Sequence, residues 1–162
     1  MMIKFRICIC AILMMFGGLA FAADEGDYAS LKKKQVNWRT GPGEKYPIRW
    51  IYQEQGYPVK VLDTYDIWKQ VQEADGSIGW VHEKMISDKR TALVREEGVL
   101  TDKPALDGRP IAIVEVGSVG RIIKCPAEES YCLMAFKYQD KDVKGWFNKK
   151  AVWGLKPNEE ID

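Results

Sequence analysis

The chain is poor in the side chains that usually perform chemistry. It has one histidine, His82, in 162 residues. A Cys–His nucleophile pair and a serine triad both need a histidine as base, and His82 has no nucleophile motif near it. HExxH, Walker A and GxGxxG sequences are absent. The carboxylate pairs Glu128-Glu129 and Asp140 with Asp142 sit in turn-like stretches and read as solvated charge. The chain is therefore expected not to be an enzyme, and to hold no cofactor and no metal. Charge of one sign is also lacking, with 24 basic residues against 23 acidic ones. Nucleic-acid binding needs a strong positive field, so no nucleic-acid partner is expected. The local clusters Lys32-Lys33-Lys34 and Lys144, Lys149, Lys150 read as solvated faces.

Long apolar runs are missing after the first 22 residues. Within those 22, Lys4 and Arg6 precede the apolar stretch Ile7 to Phe16, and Ala20-Phe21-Ala22 has the small-x-small form of a signal peptidase site. This reads as a secretory signal peptide cleaved after Ala22, because the apolar stretch is short for the ~20 residues a bilayer needs. Cleavage would leave 140 residues, remove two basic side chains and no acidic one, and turn the net charge of +1 into −1. The mature chain is expected to lie in the periplasm, with secretion as the alternative, and to keep no membrane anchor. Cys8 and Cys10 would leave with the signal, so only Cys125 and Cys132 would remain. An even count in an exported chain favours a disulfide. A loop of this length would contribute about 2–3 kcal/mol. Two reduced core thiols, or half of a metal site still needing two more ligands, are the other readings.

The remaining sequence is rich in short strand signals. Asn37-Trp38-Arg39-Thr40-Gly41-Pro42-Gly43 followed by Tyr46-Pro47 forms an ordered loop. Strands are expected at Ile48 to Tyr52, Gly56 to Leu62, Trp68 to Gln72 and Ser77 to Val81, with an Asp75-Gly76 turn. In the Trp68 strand Val71 is the core candidate, and Trp68 should cover the other face or a groove. Arg90 to Arg95 has no Gly or Pro and should pair as a strand that holds two units together. The second half echoes the first. Gly56-x-x-x-x-Val61-Leu62 matches Gly117-x-x-x-x-Ile122-Ile123. Trp68-Lys69-Gln70-Val71 is set against Cys132-Leu133-Met134-Ala135, and Gly79-Trp80-Val81-His82 against Gly145-Trp146-Phe147-Asn148. The expected organisation is all-β. A signal peptide (1–22) is followed by a flexible leader (23–34), a first barrel (35–90), a second barrel (91–155) and a loosely ordered polar tail (156–162).

Asn37-x-Arg39-x-Gly41-Pro42-Gly43-x-x-Tyr46-Pro47, the Gly56-x-Pro58-Val59 stretch, Trp68, and Asp75-Gly76-x-x-Gly79-Trp80-Val81-His82 together resemble the bacterial SH3-like (SH3b) domain. Two such domains behind a signal peptide are similar to an exported SH3-like family of Gram-negative bacteria. That family tends to carry Arg-Thr-Ala-Leu-Val after the first domain, here Arg90 to Val94. It also tends to have a cysteine pair in the second domain, here Cys125 and Cys132, and a Trp-Gly near the end, here Trp153-Gly154. The resemblance covers roughly residues 35 to 155. Trp38 stands where the pattern usually has an aliphatic residue, and the second domain has lost the Arg-x-Gly-Pro-Gly run. The resemblance implies two tandem SH3-like β-barrels and a binding role toward cell-wall peptides or partner proteins.

Seven aromatic residues of the first unit (Trp38, Tyr46, Trp50, Tyr52, Tyr57, Trp68 and Trp80) exceed what a small barrel buries. Of these, Trp38, Tyr46, Trp50, Tyr52, Trp68 and Trp80, with Arg39, are the candidate ligand-binding residues. Arg39 either braces loop carbonyls or presents its donor fork to a ligand carboxylate. The expected partner is a peptide or protein of the cell envelope, a peptidoglycan stem peptide being one candidate. The alternatives are an adaptor whose rings pack units together, or an auxiliary regulator of a separate cell-wall hydrolase.

Overall fold

The computed structural model describes residues 26–105 and 107–162; the signal-peptide reading falls on residues outside this range. No α-helix occurs among the described residues. The first seven strands are β1 (Asp27–Leu31), β2 (Val36–Arg39), β3 (Ile48–Tyr52), β4 (Pro58–Tyr65), β5 (Trp68–Gln72), β6 (Ile78–His82) and β7 (Ile86–Ser87). They form one antiparallel sheet in the order β3-β2-β6-β5-β4-β1-β7. The next seven are β8 (Thr91–Val94), β9 (Gly98–Thr101), β10 (Pro110–Val114), β11 (Val119–Lys124), β12 (Tyr131–Tyr138), β13 (Lys141–Asn148) and β14 (Val152–Trp153). Their order is β10-β9-β13-β12-β11-β8-β14, the first order with seven added to every strand. Each sheet closes over its own apolar core, so the chain folds as two small all-β SH3-like units.

The repeat extends to individual backbone bonds. Gly56 N–H donates to Leu31 C=O at 2.8 Å, and Gly117 N–H to Val94 C=O at 2.9 Å. Both glycines have φ near +90° (86° and 89°), which a side chain would resist. Leu31 N–H reaches Tyr57 C=O and Val94 N–H reaches Ser118 C=O, each at 2.9 Å. A 3-10 turn follows the sixth strand in both units, at Glu83–Met85 and Lys149–Ala151.

Three expectations are corrected by these registers. The polar leader contains β1, which pairs with β4 and β7. Its Ala29, Ser30 and Leu31 are all buried. Two small residues packed against neighbouring strands give no apolar alternation, so the strand has no period-2 signature. It is the counterpart of β8, whose Ala92-Leu93-Val94 the sequence did mark. The structure shifts the echo of the Trp68 stretch by one residue. Trp68 pairs with His82 and Val71 with Gly79, while Tyr131 pairs with Asn148 and Met134 with Gly145. Trp68 therefore corresponds to Tyr131, and the two fully buried residues Val71 and Met134 correspond to each other. A one-residue slip exchanges the faces of a strand. The polar tail is also tied down: Ile161 forms a bridge with Cys125, and Glu159 takes the fork of Arg90.

Cys125 and Cys132 are joined by a disulfide and are fully buried in the second core. The two units touch through named contacts. Thr91 Oγ1 donates to Gly56 C=O at 2.7 Å. The Tyr28 ring meets Trp153 edge-on at 5.1 Å, and the Arg90 guanidinium lies 5.8 Å from the centre of the same Tyr28 ring. Arg90 donates to Gly154 C=O at 2.9 Å and to both oxygens of Glu159. Lys156 reaches back to Asp27. Burial alone would raise the Glu159 carboxyl; the bonds from Arg90 and from Lys156 N–H outweigh it and hold the group below its usual range.

Candidate functional site

Strand alternation decides which aromatic rings face out. In β2, Val36 and Trp38 point into the core, so Asn37 and Arg39 point outward. Arg39 pairs with Trp80, Trp80 with Gln70, and His82 with Trp68. Cross-strand partners share a face. Arg39, Trp68, Gln70, Trp80 and His82 thus lie side by side on the outward face of the first sheet.

The contacts within this group are close. The Arg39 guanidinium is 5.9 Å from the centre of the Trp68 ring, and the Trp68 and His82 rings are 5.4 Å apart. Trp68 is nearly covered, 7% exposed, because Arg39 and His82 lie against it. Arg39 also shapes the loop. Its Nη1 donates to Glu44 C=O at 3.0 Å and to Tyr46 C=O at 2.8 Å. Among the described residues its Nη2 and Nε make no hydrogen bond. His82 Nδ1 accepts the Lys84 N–H at 3.1 Å and caps the 3-10 turn. A concavity of about 330 Å³ opens beside the group, with Asn37, Glu44 and Lys84 on its rim.

The other candidates lie elsewhere. Trp38 is completely buried and stacks on Trp50, 5.2 Å between ring centres and 19° between planes. It is a core residue and not part of an exposed surface, which corrects the sequence reading. Gly79 makes room for it: a Cβ there would fall 1.8 Å from Trp38 Nε1. Tyr52 lies 5.3 Å from Trp38 and 5.2 Å from Tyr57, so Trp38, Trp50, Tyr52 and Tyr57 form one continuous stack that emerges from the core. Glu73 closes its outer end. Burial pushes the Glu73 carboxyl up, and likewise raises the Tyr57 phenol to about 12 and the Tyr52 phenol further. The Tyr52 hydroxyl lies near Glu73 without meeting hydrogen-bond geometry. The Tyr46 ring covers Gly41, where a Cβ would sit 2.4 Å from its Cδ1. The structure thus brings Arg39, Trp68 and Trp80 together and sends Trp50 and Tyr52 to a separate stack.

Sequence reasoning did not include His82, Glu44 or Lys84 in the site. The position matching His82 in the second unit is Asn148, whose side chain accepts the Lys150 N–H at 2.9 Å in the same way. An asparagine echoed by a histidine ahead of a turn was the available signal for a capping role.

The residues of this site fall within a recognised family. The family profile for the bacterial SH3 domain matches residues 32–88. This first unit is a bacterial SH3 domain. The match ends before β8, so the second SH3-like unit rests on its topology. Among curated proteins nothing matches the chain. Two solved structures overlap it at low similarity. NlpC1 from Trichomonas vaginalis is 12% identical, with a TM-score of 0.37, covering 81% of this chain and 46% of its own. NlpC2 from the same organism is 13% identical, with a TM-score of 0.35, covering 79% and 48%. The chain spans less than half the length of either.

Proposed function

We propose that the protein is an exported, non-enzymatic module that binds a peptide of the cell envelope through the outward face of its bacterial SH3 domain. The observation that carries this reading is the cluster of Arg39, Trp68, Trp80 and His82. It combines the partly exposed Trp80 ring, which suits an extended chain, with a guanidinium that lies over the covered Trp68 ring and whose Nη2 can take a ligand carboxylate. A peptidoglycan stem peptide supplies both an extended backbone and carboxylates. The rings that join the two units are Tyr28 and Trp153, neither of them a candidate. This favours a ligand role for the outward face over a packing role.

The test is co-sedimentation of the mature protein with purified peptidoglycan, with tryptophan fluorescence read alongside. Wild type should pellet with the wall, and Trp80→Ala and Arg39→Ala should each reduce the bound fraction while remaining folded. Absence of wild-type sedimentation, with fluorescence unchanged, would overturn wall binding. Enrichment of a cell-wall hydrolase on the wild-type protein, lost with Trp80→Ala, would instead support an auxiliary role for the same face.

A further inference from the structure

We infer that the cleft between the two units is a second binding site and takes an acidic peptide. The cleft holds about 630 Å³. Lys32, Lys33 and Lys89 line it from the first unit, Arg121 and Lys137 from the second. All five side chains are exposed. Opposing them are two carboxylates, Glu54 and Asp142. Asp142 is 3.5 Å from Arg121. Among the described residues no carboxylate lies within ion-pair distance of Lys32, Lys33, Lys89 or Lys137. Five cations against two anions concentrate more positive charge in this one recess than the net +1 of the whole chain. A concave wall focuses such a field more strongly than a flat surface does.

The arrangement of the charges selects the ligand. They come from both units, so a small anion held against one wall would leave the cations of the other wall unpaired. A chain with several spaced carboxylates can meet both walls. Among the described residues no aromatic ring lines the cleft, so they offer no stacking platform of the kind single-stranded nucleic acids use. Thr91 and Gly56, which both line the cleft, are joined across the units by a hydrogen bond of 2.7 Å. Lys32 and Lys33 belong to a cluster that reads as a solvated face in sequence; folding places them opposite Arg121 and Lys137, about 90 or more positions away.

The experiment is fluorescence anisotropy of a labelled hexaglutamate peptide with the mature protein at low and at physiological salt. Binding should occur at low salt and weaken as salt rises. Lys33→Glu with Lys137→Glu, one change on each wall, should weaken it by about tenfold or more. Lys45→Glu with Lys150→Glu makes the same change in net charge at exposed positions outside the cleft and should alter it by less than about twofold. Trp80→Ala should leave hexaglutamate binding intact, so failure of the outward-face reading and failure of this one are separable. No binding by wild type at low salt, or equal losses from the two charge-reversal pairs, would overturn the proposal. If the cleft reversal disturbs folding in a thermal melt, Lys33→Gln with Lys137→Gln reads the same effect, and no loss there would also overturn it.

Discussion

The two units share a backbone and fill it differently. Arg39 and Thr101 occupy the same position, since both pair with the tryptophan of the sixth strand, Trp80 and Trp146. Arg39 reaches across the loop to two carbonyls. Thr101 has a shorter reach: its one hydroxyl hydrogen lies between Lys103 C=O at 2.9 Å and Trp146 C=O at 3.2 Å, the nearer being the better acceptor. The second loop is then closed by Asp102, which accepts from Arg109 N–H and Nε, each at 2.8 Å. One position inward, the first unit has Trp38 and the second has Leu100, both with no exposed surface. The first core is closed by a stack built on two tryptophans, and the second by a disulfide among aliphatic side chains and the Phe136–Phe147 pair. The two units share their backbone bonds and differ in loop brace, core filling and outward face. Among the described residues only the first unit combines a guanidinium with rings on that face.

The sharpest way to break this comparison is at the glycine that faces the core residue. A Cβ at Gly79 would overlap the Trp38 indole at 1.8 Å, with both residues buried. Gly79→Ala should destabilise the first unit by about 3 kcal/mol, read by thermal unfolding. Adding Trp38→Leu, the side chain of the second unit, should recover part of the loss. It also removes an indole N–H that has no hydrogen-bond partner among the described residues. If the double variant is no more stable than Gly79→Ala alone, the steric account is wrong. Next in size is the disulfide. Cys125→Ser with Cys132→Ser should cost about 2–3 kcal/mol, confined to the second unit. Backbone amides of β2 to β6 should keep their exchange protection while those of β11 and β12 lose it. Smaller again is the capping position. His82→Ala should cost about 1 kcal/mol, whereas His82→Asn copies Asn148 and should stay within about 0.5 kcal/mol of wild type. A large loss from His82→Asn would mean that the ring contact with Trp68, and not the cap, is what His82 supplies.

Much of this architecture was legible because turn chemistry is local. Asp75-Gly76, the Gly41-Pro42-Gly43 run and the paired Gly56 and Gly117 mark strand ends wherever they occur, and they carried the repeat with them. The alternation Val59-Lys60-Val61 likewise marked a strand by itself. What was not legible depends on residues far away in sequence. β1 is a strand because β4 and β7 flank it, not because Asp27 to Leu31 alternates. Trp38 is a core residue because Gly79 leaves it space, and a tryptophan beside an arginine carries no sign of that. The slip in the echo of β5 arose because Tyr131 and Cys132 are adjacent, and a composition match cannot separate neighbours that point to opposite faces. For the site, the Arg-x-Gly-Pro-Gly run gave Arg39 its loop partners. Nothing local distinguished Trp68 and Trp80, which share the face of Arg39, from Trp50 and Tyr52, which do not.

The smallest effect tests how the two units differ at the far end of this hairpin. Counting along the fifth strand from Val71 and Met134, Glu73 stands where the second unit has Phe136, a buried ring 5.6 Å from Phe147. Glu73 is only half-buried, and burial raises its carboxyl above the ordinary value of 4.5. A raised folded-state value means that the fold favours the neutral acid. That advantage is complete below the unfolded-state value and is lost as pH rises through the folded-state value. At pH 7 the ionised group is therefore a net cost to the first unit. Glu73→Gln should stabilise the first unit at pH 7 by well under about 1 kcal/mol, given the solvent screening of a half-exposed group, and so raise its Tm. The gain should shrink as pH falls and vanish below about pH 4. Thermal melts of the two proteins across pH 3.5 to 8, spanning roughly the ordinary carboxylate range and beyond, check this. A gain independent of pH would show that burial of charge is not what separates Glu73 from Phe136, and that the amide simply makes a better contact with the tyrosines beside it.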